Sequence, residues 1–393
     1  MMRPWLVVLL IAGCETNAAP PPGTPPPVSS SAPTSTPAPV RDASVVDAHP
    51  SSLAGPQIYQ ALCAQCHGKD LKGYVADNAP SMISPTFLES ATDDFLKASI
   101  ATGRPGTAMA AYSNKLGGPL DDAAITRLVT YLREQGPKAK ELPAVPKGDP
   151  AKGEGLYAKA SCGSCHGDAT IRRDSIHLAN TMFLVQATDP FIKHAIVNGR
   201  PGTKMAAFGA AMSDAEINDL VAYVRTLGTG AKQAGMLPAP TGKEPLVINP
   251  KGKEPTWKLR ENRFVSVDEV HKAYKAGAKM IIVDARPPSD WMRAHIRGAV
   301  SIPYHDVARL KDIPKDVAVV AYCACPHHLS GIVVDELKKL GHKKPYVLDE
   351  GVNDWHRKGY PMVAAEGVER PTEQAPGGDH GGHGHGDHSG HGH

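Results

Sequence analysis

The sequence predicts a multidomain chain: two all-α units in tandem, followed by an α/β domain with a parallel sheet, set between a disordered Pro-rich stalk and a disordered His-rich tail. Three observations carry this reading. A block of sequence recurs at an offset of 96 to 99 residues, the C-terminal third alternates apolar strands with amphipathic helices, and composition shifts sharply toward Pro, Ser and Gly at both ends. At 393 residues the chain is too long for a single small core. Its 43 basic and 40 acidic residues leave no cationic footprint for nucleic acid, so that class of partner is excluded.

The opening "MMRPWLVVLLIAGCE" has one positive charge at Arg3 and an apolar run from Trp5 to Ile11. That run is too short to span a bilayer and matches the core of an export signal. "IAGC" at Ile11 to Cys14 resembles the bacterial lipobox, with isoleucine where leucine is commoner. The resemblance implies removal of residues 1–13 and acylation at Cys14. Each buried methylene contributes about 0.8 kcal/mol, so three acyl chains anchor firmly. The alternative is an ordinary cleaved signal with an unmodified cysteine; both place the protein beyond the cytoplasm. Glu15 stands where an aspartate marks inner-membrane retention in some bacteria, which favours the outer membrane. Residues 14–50 are Pro, Ser, Thr and Ala with few large apolar side chains, a composition that cannot offset chain entropy by burial. Extended at ~3.1 Å per residue, this stalk reaches on the order of 100 Å from a membrane.

Within the repeat, "ATDDFLKASIATGRPGTAMAAY" (Ala91 to Tyr112) returns as "ATDPFIKHAIVNGRPGTKMAAF" (Ala187 to Phe208), with 14 of 22 positions identical. "QIYQALCAQCHG" and "GLYAKASCGSCHG" precede the two copies, and "AAITRLVTYLRE" and "AEINDLVAYVRT" follow them. Ile125, Leu128, Val129 and Leu132, like Ile217, Leu220, Val221 and Val224, fall at spacings of three and four and predict terminal amphipathic helices. Two cysteines three residues apart can both bond the vinyl groups of one haem while the next residue, histidine, ligates its iron. A lone Cys-x-x-Cys-His also suits a redox dithiol or half a zinc site. Two copies in one helix, loop and methionine context favour haem.

Each unit resembles a class I c-type cytochrome, over 51–138 and 147–230. The resemblance implies two covalently bound haem c groups, one on Cys63 and Cys66 with His67 as axial ligand, the other on Cys162 and Cys165 with His166. For the second axial ligand the repeat itself discriminates. Met82, Met182 and Met212 have no counterpart in the other copy, whereas Met109 and Met205 share the context "RPGTxMAA". His/Met ligation leaves no open iron position and suits single-electron transfer. Arg104 and Arg200 read either as partners of haem propionates or as solvated loop charges. Pro80 matches the family proline whose carbonyl accepts from the axial histidine; "HLANT" in the second unit has none, so the two haems are expected to differ in potential.

After a linker over 231–262, "VSVDEVHKAYKAG" predicts a helix entered through Ser266, "KMIIVDAR" and "DVAVVAYC" buried strands, "SGIVVDELKKLG" a helix ending at Gly341, and "KPYVLDEG" a third strand. The alternation implies a parallel sheet with helices on both faces. "VDARPPSDWMRAHIRGAVSIP", a strand ending in cysteine, and "LDEGVNDWHRKGYP" together resemble a rhodanese-like domain, over 263–365. That resemblance implies Cys323 as the catalytic position, which carries a persulfide in active sulfurtransferases. A cysteine between a strand end and a helix N-terminus lies among backbone N–H groups that stabilise a sulfur anion. The loop "CACPHHLSG" departs from the common CxxGxR pattern: Pro326 replaces the glycine, His328 stands where arginine is usual, and Ser330 implies an extra residue. Cys323 and Cys325 can alternatively form a small disulfide, or join His327 or His328 on copper or zinc. The tail over 366–393 is read as disordered, and its last fifteen residues place six histidines among Gly and Asp, a weak and promiscuous metal chelator.

The expectation from sequence is a dihaem electron carrier on the periplasmic side of a bacterial membrane. Its partners are periplasmic or membrane redox proteins, an oxidase or a sulfur-oxidising enzyme, with thiosulfate or a persulfide donor supplying Cys323. The competing reading is a non-enzymatic respiratory-complex subunit whose C-terminal domain docks a partner or senses redox state or metal.

Overall fold

A computed structural model describes residues 49–76, 78–229, 234–324, 327–368 and 370–371. Cys14, the stalk, Cys325, Pro326 and the histidine tail lie outside the described residues.

Each helical unit is built to one plan. In the first, α1 (Gly55–Ile58) continues through a wider helical turn at Tyr59–Cys63 into α2 (Ala64–His67). α3 (Pro85–Ser90), α4 (Asp93–Thr102) and α5 (Asp122–Arg133) complete it. The second repeats this as α6 (Pro150–Lys159), α7 (Gly163–His166), α8 (Thr181–Gln186), α9 (Asp189–Asn198) and α10 (Asp214–Thr226). Local chemistry sets the starts: Thr92 accepts from Phe95 N and Thr188 from Phe191 N, while Ser213 and Glu216 form a reciprocal cap on α10. All eight apolar positions named for the terminal helices are buried. They face the first helix of their own unit. A glycine permits that crossing in each copy, since a Cβ would stand 2.4 Å from Arg127 O at Gly55 and 2.0 Å from Asp219 O at Gly153. Arg133 and Arg225 then tie the terminal helices to the preceding corner, through Asp93 at 2.7 Å and Asp189 at 2.6 Å.

The two units pack face to face. Phe95 and Phe191 stack at 4.6 Å, with Phe87 edge-on to both. The contact is built from equivalent helices, so the sequence repeat becomes an approximate twofold arrangement.

The C-terminal domain centres on six strands in the order β1-β2-β7-β6-β3-β5: β1 (Leu259–Arg260), β2 (Phe264–Val265), β3 (Ile281–Asp284), β5 (Val300–Ser301), β6 (Val319–Tyr322) and β7 (Pro345–Leu348). All neighbours are parallel except β1 on β2. A side pair, β4 (Ala294–Ile296) with β8 (Met362–Ala364), is antiparallel. Helices α11 (Val267–Lys275), α12 (Pro288–Trp291), α13 (His328–Lys339) and α14 (Gly351–Arg357) connect the strands. Ser266 caps α11 by accepting from Glu269 N, as the sequence suggested. α13 begins at His328, two residues before the expected Ser330. The three anticipated strands are present, and the central pair β3 and β6 is fully buried, consistent with cover on both faces. The edge strands and the β4–β8 pair were not foreseen because two or three residues carry no periodic signal.

Among the described residues no helix is long and apolar enough to cross a membrane.

Candidate functional sites

The first Cys-x-x-Cys-His segment lies on one helical turn, with Cys63 and Cys66 partly buried and His67 buried. Burial pushes the Cys63 thiol up to about 12, so it stays protonated in this apolar setting. Burial also lowers the His67 pKa, partly offset by its bond to Pro80 O. His67 Nδ1 donates to that carbonyl at 2.8 Å, leaving Nε2 as the nitrogen available to a metal. In the second unit His166 Nδ1 makes the same 2.8 Å bond, to Ile176 O. The missing proline therefore does not remove the interaction, because a backbone carbonyl from any residue can accept. What differs is exposure: Cys165 is exposed and His166 only partly covered. Tyr59 and Tyr157 brace the two turns, donating to Gly68 O at 2.7 Å and Gly167 O at 2.8 Å. Sequence analysis passed over these tyrosines, although the repeat aligns them.

The methionine loops share one backbone design. Arg104-Pro105-Gly106-Thr107 and Arg200-Pro201-Gly202-Thr203 turn with proline second and a positive-φ glycine third, closed by N–H to C=O bonds of 3.0 Å in each. Arg104 N donates to Met109 O at 2.7 Å and Arg200 N to Met205 O at 2.9 Å. Gly103 and Gly199 permit this closure, with φ of 63° and 62°; a Cβ at Gly103 would stand 2.4 Å from Met109 O. Met109 and Met205 are both partly buried at equivalent places.

The repeated arginines do not sit in solvent. Arg104 donates to Gln186 Oε1 at 2.7 Å and Ser99 Oγ at 2.7 Å, and Arg200 to Thr86 O at 3.0 Å. Each therefore reaches from its own methionine loop into the other unit. Burial lowers both to about 10, still cationic at neutral pH. The donor set fits a c-type haem in both units: two thiols on one turn, an imidazole with Nδ1 already engaged, and a thioether on a braced loop.

In the C-terminal domain Cys323 follows β6 and is buried, with Sγ 3.3 Å from Ser330 Oγ on α13. Its carbonyl accepts from Val352 N at 3.0 Å, at the start of α14. His327 precedes α13 with φ of 76°, and its Nε2 lies 2.7 Å from Asp349 Oδ1. That contact engages one ring nitrogen of His327 with Asp349. His328 occupies the first position of α13. Nearby, buried Asp284 holds Arg286 through two bonds of 2.9 and 2.7 Å and accepts from Tyr322 Oη at 2.8 Å. Among the described residues no cluster of three or more His, Cys, Asp or Glu is arranged to hold a metal ion.

The rhodanese-like domain model matches residues 266–358. A sulfurtransferase of Allochromatium vinosum is 32% identical over 97 residues, covering 22% of this chain and 82% of that protein. Residues 266–358 belong to the rhodanese-like family. A second model, cytochrome c oxidase, cbb3-type, subunit III, matches 51–132 and 148–224. The cbb3-type cytochrome c oxidase subunit FixP of Azorhizobium caulinodans is 31% identical over 175 residues, covering 43% of this chain and 57% of that one. Subunit CcoP of Rhodobacter capsulatus is 26% identical over 194 residues, covering 45% and 62%. The chain thus spans little more than half the length of these oxidase subunits. Its helical units are similar to the cytochrome c portion of these oxidase subunits, and the chain joins them to the rhodanese-like domain.

Proposed function

We propose that the protein is a dihaem c-type cytochrome that passes single electrons on the periplasmic side of a bacterial membrane. The observation that carries this is the duplicated arrangement in which each Cys-x-x-Cys-His turn has its histidine Nδ1 fixed on a carbonyl at 2.8 Å and a thioether loop closed on its own backbone. Cys63, Cys66, Cys162 and Cys165 would form the thioethers; His67 with Met109 and His166 with Met205 would be the axial pairs. Bound there, haem c supplies a one-electron iron couple. The chain's residues fix each imidazole and limit water around His67. Export and acylation at Cys14 would hold the protein at the membrane, the outer one by preference, and an oxidase is the partner class suggested by the cbb3-type relatives.

Cys323 would accept sulfane sulfur from thiosulfate or a persulfide donor. Its place between β6 and α13, beside the Ser330 hydroxyl, supports that reading. The alternative, an inactive domain that docks a partner, is favoured by His328 in place of the usual arginine. Haem retained by the polypeptide after acid-acetone extraction tests the cytochrome reading, and its absence overturns it. Met109→Ala and Met205→Ala should each convert one haem to an altered-ligand spectrum. Cys323→Ser should abolish sulfur transfer from thiosulfate to cyanide; unchanged transfer removes the sulfur role.

A further inference from the structure

The two cytochrome units have different surroundings, and the difference lies where the rhodanese-like domain meets the chain. Leu62, immediately before Cys63, is 2% exposed. Its carbonyl accepts from Tyr304 Oη at 3.0 Å and from Tyr112 Oη at 3.2 Å, and the two hydroxyls lie 3.5 Å apart. A second contact lies alongside: Ser289 Oγ donates to Ala111 O at 2.7 Å, next to the Met109 loop. Gly117 completes the seam, since a Cβ there would stand 2.7 Å from Met292 Sδ.

The second unit presents a different surface at the equivalent positions. Where the first has Leu62, Ala111 and Tyr112, the second has Ser161, Ala207 and Phe208. Ser161 and Ala207 are exposed, and phenylalanine has no hydroxyl to donate. A buried phenol needs a partner, so the Tyr112 and Tyr304 hydroxyls sharing one carbonyl make the contact specific as well as apolar. On the other side of the seam, Tyr304 N donates to Ala285 O at 2.9 Å and Ala285 N to Tyr322 O at 3.0 Å. Tyr322 precedes Cys323. Tyr304 and Cys323 therefore lie at the same, C-terminal end of the strands, on either side of β3, which at about 4.8 Å per strand is roughly 10 Å.

We propose that the rhodanese-like domain is the cover of the first haem-attachment segment: it packs over Leu62 and the end of the adjoining methionine loop, brings the Cys323 end of the sheet toward that segment alone, and leaves the second segment more open to solvent. The assignment of a haem to each segment rests on the function proposed above. The seam itself does not.

Hydrogen–deuterium exchange on the full-length protein tests this directly. In the wild type, amides of 62–67 should exchange at least tenfold more slowly than those of 161–166. Tyr304→Ala should raise exchange in 62–67 by at least tenfold and leave 161–166 unchanged. Tyr304→Phe keeps the ring and removes one donor, so it serves if the alanine variant misfolds, and it should raise exchange in the same segment by a smaller factor. In the haem-loaded protein, Tyr304→Phe should move one of two redox transitions and leave the other in place. Equal protection of the segments in the wild type, or a response in both or neither, overturns the proposal. Absence of covalent haem would overturn the proposed function while the exchange comparison still decides the seam.

Discussion

The Arg104 guanidinium donates to Gln186 Oε1 at 2.7 Å, across the boundary between the two repeats. Gln186 in turn donates to Thr102 Oγ1 at 2.7 Å, so one amide from the second unit satisfies both a cation and a hydroxyl of the first. Leaving a buried guanidinium short of acceptors costs more than deleting it. Gln186→Leu is expected to destabilise the paired units by about 2 kcal/mol, and Arg104→Met by about 1 kcal/mol. Urea unfolding compares them, and the reverse order would show that the guanidinium is satisfied without Gln186.

Asp284 is fully buried and carries Arg286, itself 7% exposed. Removing the carboxylate leaves the guanidinium uncompensated, so Asp284→Ala should cost about 3 to 5 kcal/mol. The paired replacement Asp284→Leu with Arg286→Met should recover most of that loss. Thermal or urea unfolding of the rhodanese-like domain's transition measures both.

Burial pushes the Asp290 carboxyl up to about 6, against the pull of Arg286 and Arg293. The folded protein then binds this proton more tightly than the unfolded chain does, so its stabilising share is complete below 3.8 and is lost as pH rises through about 6. Asp290→Asn should raise stability near neutral pH by on the order of 1 to 3 kcal/mol and change little at the acid end of that window. Melting temperature against pH gives the result.

Ser330 Oγ lies 3.3 Å from Cys323 Sγ. A hydroxyl donated to a sulfur anion contributes about 1 kcal/mol, so on the sulfur role proposed for Cys323, Ser330→Ala should slow sulfur uptake from thiosulfate about fivefold. Mass measurement of the Cys323 adduct over time follows this, and an unaltered rate would give Ser330 a packing role only.

Much of the fold was legible in sequence because its signals are short-range. Cys-x-x-Cys-His, the Pro-Gly turn before each methionine, the Ser266 cap and the apolar faces of α5 and α10 all act within a few residues. The repeat added a second reading of each, which also separated Met109 and Met205 from the other methionines. Arg104 and Arg200 show where that kind of inference stops. Their recurrence marked them, but recurrence could not distinguish a cofactor partner from a solvated charge, and the structure engages them across the boundary between units. The missing proline does not cost His166 its acceptor, for a related reason. A carbonyl acceptor is a backbone property, so Ile176 serves His166 as Pro80 serves His67.

By itself the sequence determined the order of the domains, the donor set of the two Cys-x-x-Cys-His turns and the position of Cys323 after a buried strand, since each depends on neighbours along the chain. Only the tertiary structure decided which Cys-x-x-Cys-His turn has its histidine buried. Tyr304 and Leu62 are 242 positions apart, and no periodicity or spacing links residues at that separation; their contact exists because the rhodanese-like domain packs against the first unit. Tyr112 and Phe208, one hydroxyl apart in closely similar loops, show how small the sequence trace of that choice is.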